Sequence, residues 1–229
     1  MTDTTNLNTK TRFDIKKMTV LALFIAIAYI CLFLFRIKVS FLTLEIKDVF
    51  ITMTGFLFGP LTAVGVALVE ALIEMVSLSD TGIYGAIMNF AGSAAFAGTA
   101  AIIYKYRKTL SGAIVGLIVA TFAMTGIMIV LNIAITPFYM KAPRSVVFGL
   151  IPTLLLPFNV IKGLLNAGIL FVIYKPLSTA LKSIGMIPKN QEFKADRKFA
   201  VVTAVATLVI ISAVVLLIAL MKGSVIWGR

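Results

Sequence analysis

Asn159 and Lys162 set an amide and an ammonium three residues apart in Leu155-Leu156-Pro157-Phe158-Asn159-Val160-Ile161-Lys162-Gly163, inside a strongly apolar stretch. Helical spacing stacks the two on one face, and Pro157 favours a helix start because its missing N–H costs nothing there. The run from Pro157 to Leu181 is long enough to cross a bilayer, which places Lys162 roughly 8 Å along it at 1.5 Å per residue. A cation at that depth is expensive unless it meets a partner, a cavity or the headgroups. Two readings follow: a lysine snorkelling to the nearer interface, or one member of a polar cluster that receives a ligand. Asn132, just before Pro137, and Asn89, just before a small-residue stretch, are further amides within apolar runs. Amides and an ammonium offer several donors and a few acceptor oxygens, a set suited to a neutral or weakly anionic organic ligand with carbonyls and hydroxyls. They lack the carboxylate cluster that a metal ion demands. The sequence holds no histidine, which excludes histidine metal sites, Ser-His catalysis and histidine proton relays within it. No nucleophile–base pair is evident, so no catalytic residue is assigned. It also has no G-x-x-x-x-G-K-[ST] loop, the usual phosphate cradle for ATP.

The elements that must position these groups are membrane helices. Sixty per cent of the 229 residues are hydrophobic and 13% charged, far from a soluble average. About seven apolar segments make up a single integral membrane domain, all-α in class. The net charge of +12 lies between the apolar runs as topogenic signal, which argues against a nucleic-acid partner. A polar first stretch leading straight into a polytopic pattern predicts no cleavable signal peptide. Cys31, alone of its type, reads as a packing residue.

In chain order, residues 1–17 form a basic arm, expected to be flexible and cytoplasmic. Met18 to Phe35 is the first span and carries Ala22 and Ala26, a small-xxx-small pair that admits close helix approach. Arg36 to Asp48 is a loop in which Phe41-Leu42-Thr43-Leu44-Glu45-Ile46 alternates as an extended segment does; it either caps a cavity or simply connects. Val49 to Phe58 is too short to span alone, and Gly59-Pro60 breaks it from Leu61 to Leu78, a pattern found beside transporter binding sites. That second run holds Glu70, a candidate for protons or cations, and Glu74, expected at a solvated helix end near the Asp80 loop. Ile83 to Tyr104 and Leu110 to Ile135 span again, and Gly149 to Leu156 leads into the Pro157 helix. Residues 183–198 are a basic cytoplasmic linker, and Phe199 to Met221 is an additional, lipid-facing helix. With an inside amino terminus, thirteen of the 21 basic residues fall in cytoplasmic segments and seven outside, the bias that sets orientation. Asn89, Asn132, Asn159, Lys162 and the Thr43 loop then all lie toward the outer half.

Four pieces together, Phe56-Leu57-Phe58-Gly59-Pro60, Asn89-Phe90-Ala91-Gly92, Leu131-Asn132 before Pro137, and Pro157-Phe158-Asn159-Val160-Ile161-Lys162-Gly163, resemble the riboflavin-specific substrate-binding (S) components of energy-coupling factor (ECF) transporters over about residues 18–182. The resemblance implies a six-helix core in a bacterial-type cell membrane, exceeded here by Phe199 to Met221. It implies riboflavin as the transported ligand with no cofactor for chemistry, and as partners a transmembrane coupling protein with two cytoplasmic ATPases. It further implies that Asn132, Asn159 and Lys162 hydrogen-bond the ligand, that Leu42, Thr43 and Leu44 close over it, and that Ala22 and Ala26 face the coupling protein. Asn89 stands as a further candidate contact. Glu70-Ala71 occupies a place where riboflavin components often carry Lys-Asn. Competing expectations are an S component for another vitamin or flavin-like compound, a solitary ion-coupled carrier built on Glu70, and an intramembrane enzyme.

Overall fold

The computed structural model describes residues 3–79, 81–141, 143–186, 197–220 and 226–227; the Asp80 position and most of the 183–198 linker lie outside these. The helices are α1 (Asp3–Leu34), α2 (Lys47–Phe58), α3 (Pro60–Ser77), α4 (Ile83–Tyr106), α5 (Leu110–Met140), α6 (Arg144–Leu150), α7 (Leu156–Ser183) and α8 (Arg197–Leu220). Among the described residues, six helical stretches are long and apolar enough to cross a membrane: Ile15–Leu34, Pro60–Ser77, Ile83–Tyr106, Leu110–Met140, Arg144–Ser183 and Phe199–Ala219. Together with the short α2 they form a six-helix core plus an additional carboxy-terminal helix. The first helix reaches back to Asp3, through the stretch expected as a flexible arm, because no Gly or Pro interrupts it.

The short helix α2 is the hub. Every residue from Lys47 to Leu57 is buried, as a helix apolar all round must be. Its Phe50, Met53 and Phe56 join Phe24 of α1, Phe96 and Tyr104 of α4, Leu117 of α5 and Tyr174 of α7 in one apolar core. Gly59 ends α2 at φ +102°, where side-chain-bearing residues are strained, and Pro60 starts α3. The expected Gly-Pro break is real. The alternating loop also becomes what its pattern suggested: β1 (Ile37–Val39) and β2 (Leu42–Leu44) form a hairpin with Val39 opposite Leu42, turned at Ser40 with φ +58°.

Two expectations are refined. The central helix does start at Pro157 to within a residue, since α7 begins at Leu156 with Pro157 in its first turn. However, α6 and a wider π-type turn at Ile151–Leu155 lead into it without a break, so one helical stretch runs from Arg144 to Ser183. The π turn absorbs Pro152, whose ring and missing N–H would otherwise break an α-helical ladder. Likewise α5 continues through Pro137 to Met140, so Asn132 lies two turns inside the helix.

Small residues let the helices meet closely. A Cβ on Gly55 would stand 2.7 Å from Ala101 Cβ and 3.0 Å from Ala63 Cβ, and one on Gly163 would stand 2.6 Å from Thr121 Cγ2. Gly55→Val and Gly163→Val are each expected to cost about 1–3 kcal/mol through overpacking, read as a lower thermal unfolding midpoint in detergent. An unchanged midpoint for both contradicts this packing.

Candidate functional site: a polar cavity beneath the hairpin

The first turn of α2 begins with Lys47 and Asp48, both fully buried. Ile46 offers no side-chain cap, and the Asp48 carboxylate suits the positive end of the helix dipole. Burying these charges requires partners, and four other elements supply them. Lys47 Nζ lies 3.0 Å from Glu45 Oε2, just after β2, and donates to Glu74 Oε2 of α3. Ser93 of α4 donates to Asp48 Oδ1 at 2.5 Å, and Lys162 Nζ of α7 lies 3.9 Å from Asp48 Oδ2. Asn166, one turn beyond Lys162, donates to the Glu45 backbone oxygen at 3.0 Å and so ties α7 to the hairpin. Burial alone would raise the Glu45 carboxyl, but the Lys162 and Lys47 ammoniums outweigh it and hold it below its ordinary value.

This network forms one wall of a cavity of about 230 Å³. Glu45, Glu74, Asn159 and Lys162 line that side, Asn89 and Met88 of α4 another, and Tyr139 and Met128 of α5 a third; the hairpin covers the cavity with Lys38, Phe41, Leu42 and Thr43. The amide of Asn159 donates to Leu155 O at 2.8 Å, and the residue lines the cavity. Phe158 adds an aromatic surface. Charges of both signs on the walls offset one another, so the cavity suits an uncharged polar ligand better than an anion. A second hollow of about 320 Å³ lies at the other end of α2, lined by Gly55–Leu61, Tyr104, Lys105 and Lys108; it lacks convergent amides.

The structure therefore gathers Asn89, Asn159, Lys162, Leu42 and Thr43 around one space. Leu44 points instead into an apolar cluster with Val39, Leu42 and Phe158. Asn132 is fully buried and outside the lining: its amide donates to Met128 O at 2.7 Å, and its Oδ1 accepts from Thr136 at 2.9 Å. Thr136 in turn lies 3.3 Å from the Tyr139 hydroxyl, so Asn132 sits two links behind Tyr139 on the wall. Ala22 and Ala26 are exposed on the outer face of α1.

The sequence-based reading of Glu74 as a solvated helix end is overturned: it is 2% exposed and bound to Lys47. Lys162 does not snorkel, since its amine turns inward to Asp48. Sequence reasoning missed Glu45, Asp48 and Tyr139. The available signal was Glu45-Ile46-Lys47-Asp48, three charges at the mouth of an apolar helix that only mutual pairing could bury. Glu70 is fully buried, and neither of its carboxylate oxygens has a hydrogen-bond partner.

A bundle of membrane helices, held by a buried charge network and opening a polar cavity under a hairpin, defines a solute-binding membrane protein. Comparison with known proteins gives the family. A family model described as "ECF transporter, substrate-specific component" matches residues 16–178. The chain is 32% identical over 185 residues to the riboflavin transporter RibU of Staphylococcus aureus, covering 74% of this chain and 94% of that protein. It is 27% identical over 177 residues to the riboflavin transporter FmnP of Bacillus subtilis, covering 71% and 93%. A solved structure described as the S component of a bacterial ECF transporter superposes with a TM-score of 0.63 at 31% identity, covering 74% of this chain and 99% of that one. The chain belongs to the substrate-specific components of ECF transporters. It is thus the substrate-binding membrane subunit of a transporter that works with an ECF module, and not an enzyme. A solitary carrier driven through Glu70 is not favoured.

Replacing Lys47 by Met leaves Glu45 and Glu74 buried without their ammonium, and should cost about 3–5 kcal/mol, measured by unfolding in detergent. Adding Glu45→Gln and Glu74→Gln to Lys47→Met should recover part of the loss. Failure to recover any of it assigns the effect to packing of the lysine stem instead.

Proposed function

We propose that the cavity takes up riboflavin from the outer face of the membrane, with the amino terminus in the cytoplasm, and that a module of one transmembrane coupling protein and two cytoplasmic ATPases drives its delivery. The observation that carries this reading is the convergence of Asn89, Asn159, Lys162 and Thr43 on one space beside an aromatic and two methionine surfaces. Flat ring carbonyls and ring nitrogens match amide and ammonium donors, ribityl hydroxyls match the mixed donors and acceptors, and Phe158, Met88 and Met128 supply apolar contact for the ring faces. Similarity to several proteins named riboflavin transporters, at 26–32% identity, supports the same ligand. The basic residues at the Lys105 end of the bundle and the hairpin at the other support the orientation.

At about 230 Å³ the cavity is smaller than the roughly 300–1,000 Å³ usual for small-molecule sites. A three-ring ligand therefore enters only as the hairpin moves outward. The same movement gives access to Asn132, which lies one turn from Met128 on the lining face of α5. Ala22 and Ala26, exposed and four residues apart on α1, form a smooth strip on which a coupling helix can pack closely.

Purified protein should quench flavin fluorescence on mixing. In Lys162→Ala or Asn159→Leu, affinity should fall about tenfold or more, the size expected for losing one strong polar contact. Wild-type protein that neither retains nor binds flavin overturns the assignment of the ligand. Ala22→Trp should bind riboflavin normally yet fail to support uptake in cells that supply the ECF module; loss of binding in that variant places the strip in the core of the protein.

A further inference from the structure

The family match ends at residue 178, before α8 begins at Arg197, and α8 does more than face lipid. It lies against α7 at Gly168, where a Cβ would stand 2.8 Å from Ile210 Cγ1 and 3.1 Å from the Ala206 carbonyl oxygen. Farther along, its buried Ala213 and Leu217 enter the same apolar cluster as Val39, Leu42 and Leu44 of the hairpin and Phe158 of the cavity wall. Beyond it the chain returns as β3 (Ile226–Trp227), which pairs antiparallel with β1, Ile37 opposite Trp227 and Lys38 opposite Ile226. The sheet order is β2-β1-β3, so β3 completes the open edge of the strand pair that covers the cavity.

We propose that α8 and β3 act as a strap that positions the hairpin over the cavity and sets the rate at which ligand leaves. A two-stranded hairpin is marginal by itself in water. Here its apolar face belongs to the cluster that Ala213 and Leu217 of α8 also enter, while its free edge is paired by β3, so opening disturbs the cluster and breaks the strand pairing together. This residue set lies outside the matched family region and touches the ligand space only through Leu42 and its neighbours; it is a positioning element. The inference rests on the proposed ligand site, since the exit it governs is the one beneath the hairpin.

The test removes residues 222–229 alone, which deletes β3 and leaves α8 and its apolar contacts in place. Release of riboflavin, followed by fluorescence recovery after dilution, should become about tenfold faster, the scale expected when a short strand pairing is lost. Association should change less and the thermal midpoint of the ligand-free protein should hold. Amide hydrogen exchange at residues 37–39 of the ligand-free protein should accelerate in the truncated chain. A second variant, Ile37→Cys with Trp227→Cys in a Cys31→Ser background, locks the strap when oxidised; release should slow at least tenfold and return on reduction. Equal release rates in full-length and truncated protein, with equal release from the oxidised and reduced cysteine pair, overturn the proposal. If the full-length chain binds no riboflavin, the assignment of the ligand fails by itself, and the exchange measurement decides the strap: unchanged exchange at 37–39 on truncation rejects it.

Discussion

The pairing of Lys47 with Glu45 and Glu74, beside that of Asp48 with Ser93 and Lys162, is the constraint on which the architecture rests. Each of these charges alone would cost several kcal/mol to bury; together, and only in this arrangement, they let a twelve-residue helix sit wholly inside a membrane bundle. The geometry has little slack because each partner comes from a different element: the end of the hairpin, α3, α4 and α7. Moving any one of them leaves a charge unpaired in an apolar interior. The network thus fixes the relative depth of four elements in a way that apolar packing, which tolerates sliding, does not.

That fixation also explains where the cavity is. Five elements meet at the start of α2, and the space they leave is lined on one side by the network's own members, Glu45, Glu74 and Lys162. Structural ion pairing and the proposed ligand recognition share side chains. A ligand that brought a full negative charge would compete with Asp48 for Lys162 and disturb the pairing that holds the wall. An uncharged molecule with carbonyls and hydroxyls makes hydrogen bonds to the same groups without breaking it, and this is a physical reason for selectivity toward neutral polar solutes.

Much of this was legible in the sequence, and the parts that were not have a common cause. Helical periodicity placed Asn159 and Lys162 on one face, the Gly59-Pro60 break was sharp, and alternation over residues 41–46 foretold an extended segment, since each is a local signal. Glu74 was misplaced because burial of a carboxylate depends on a cation twenty-seven residues away in sequence, which no local pattern reveals. Asn132 shows the same limit in reverse: its residue type suggests a site, but its hydrogen bonds to Met128 and Thr136 within α5 decide how far it reaches. The helix start at Pro157 was a local signal and held; the helical lead-in before it was missed because a π turn can carry Pro152 where an α turn cannot. Residue type sets what chemistry a position can offer, and long-range pairing sets whether it is offered.

The additional helix follows the same logic at a larger scale. Read as sequence, Phe199 to Met221 has only scattered hydroxyls and no polar feature beyond them, so composition assigns it to lipid. Its outward surface fits that, with Leu208, Val215 and Leu216 exposed. Its inner face, however, is set by small residues that meet across the interface, Gly168 on α7 against Ala206 on α8, and by Ala213 and Leu217, which enter the apolar cluster shared with the hairpin. A helix that packs this closely fixes the end from which the chain continues, and the chain after it pairs with the open edge of β1 at Ile226–Trp227. A wholly lipid-facing helix would leave that edge unpaired. The charge network holds the floor of the cavity rigid from within, while the appended segment acts on its roof, so the two ends of the binding space are governed by different forces: electrostatic pairing that cannot slide, and a short strand contact weak enough to open.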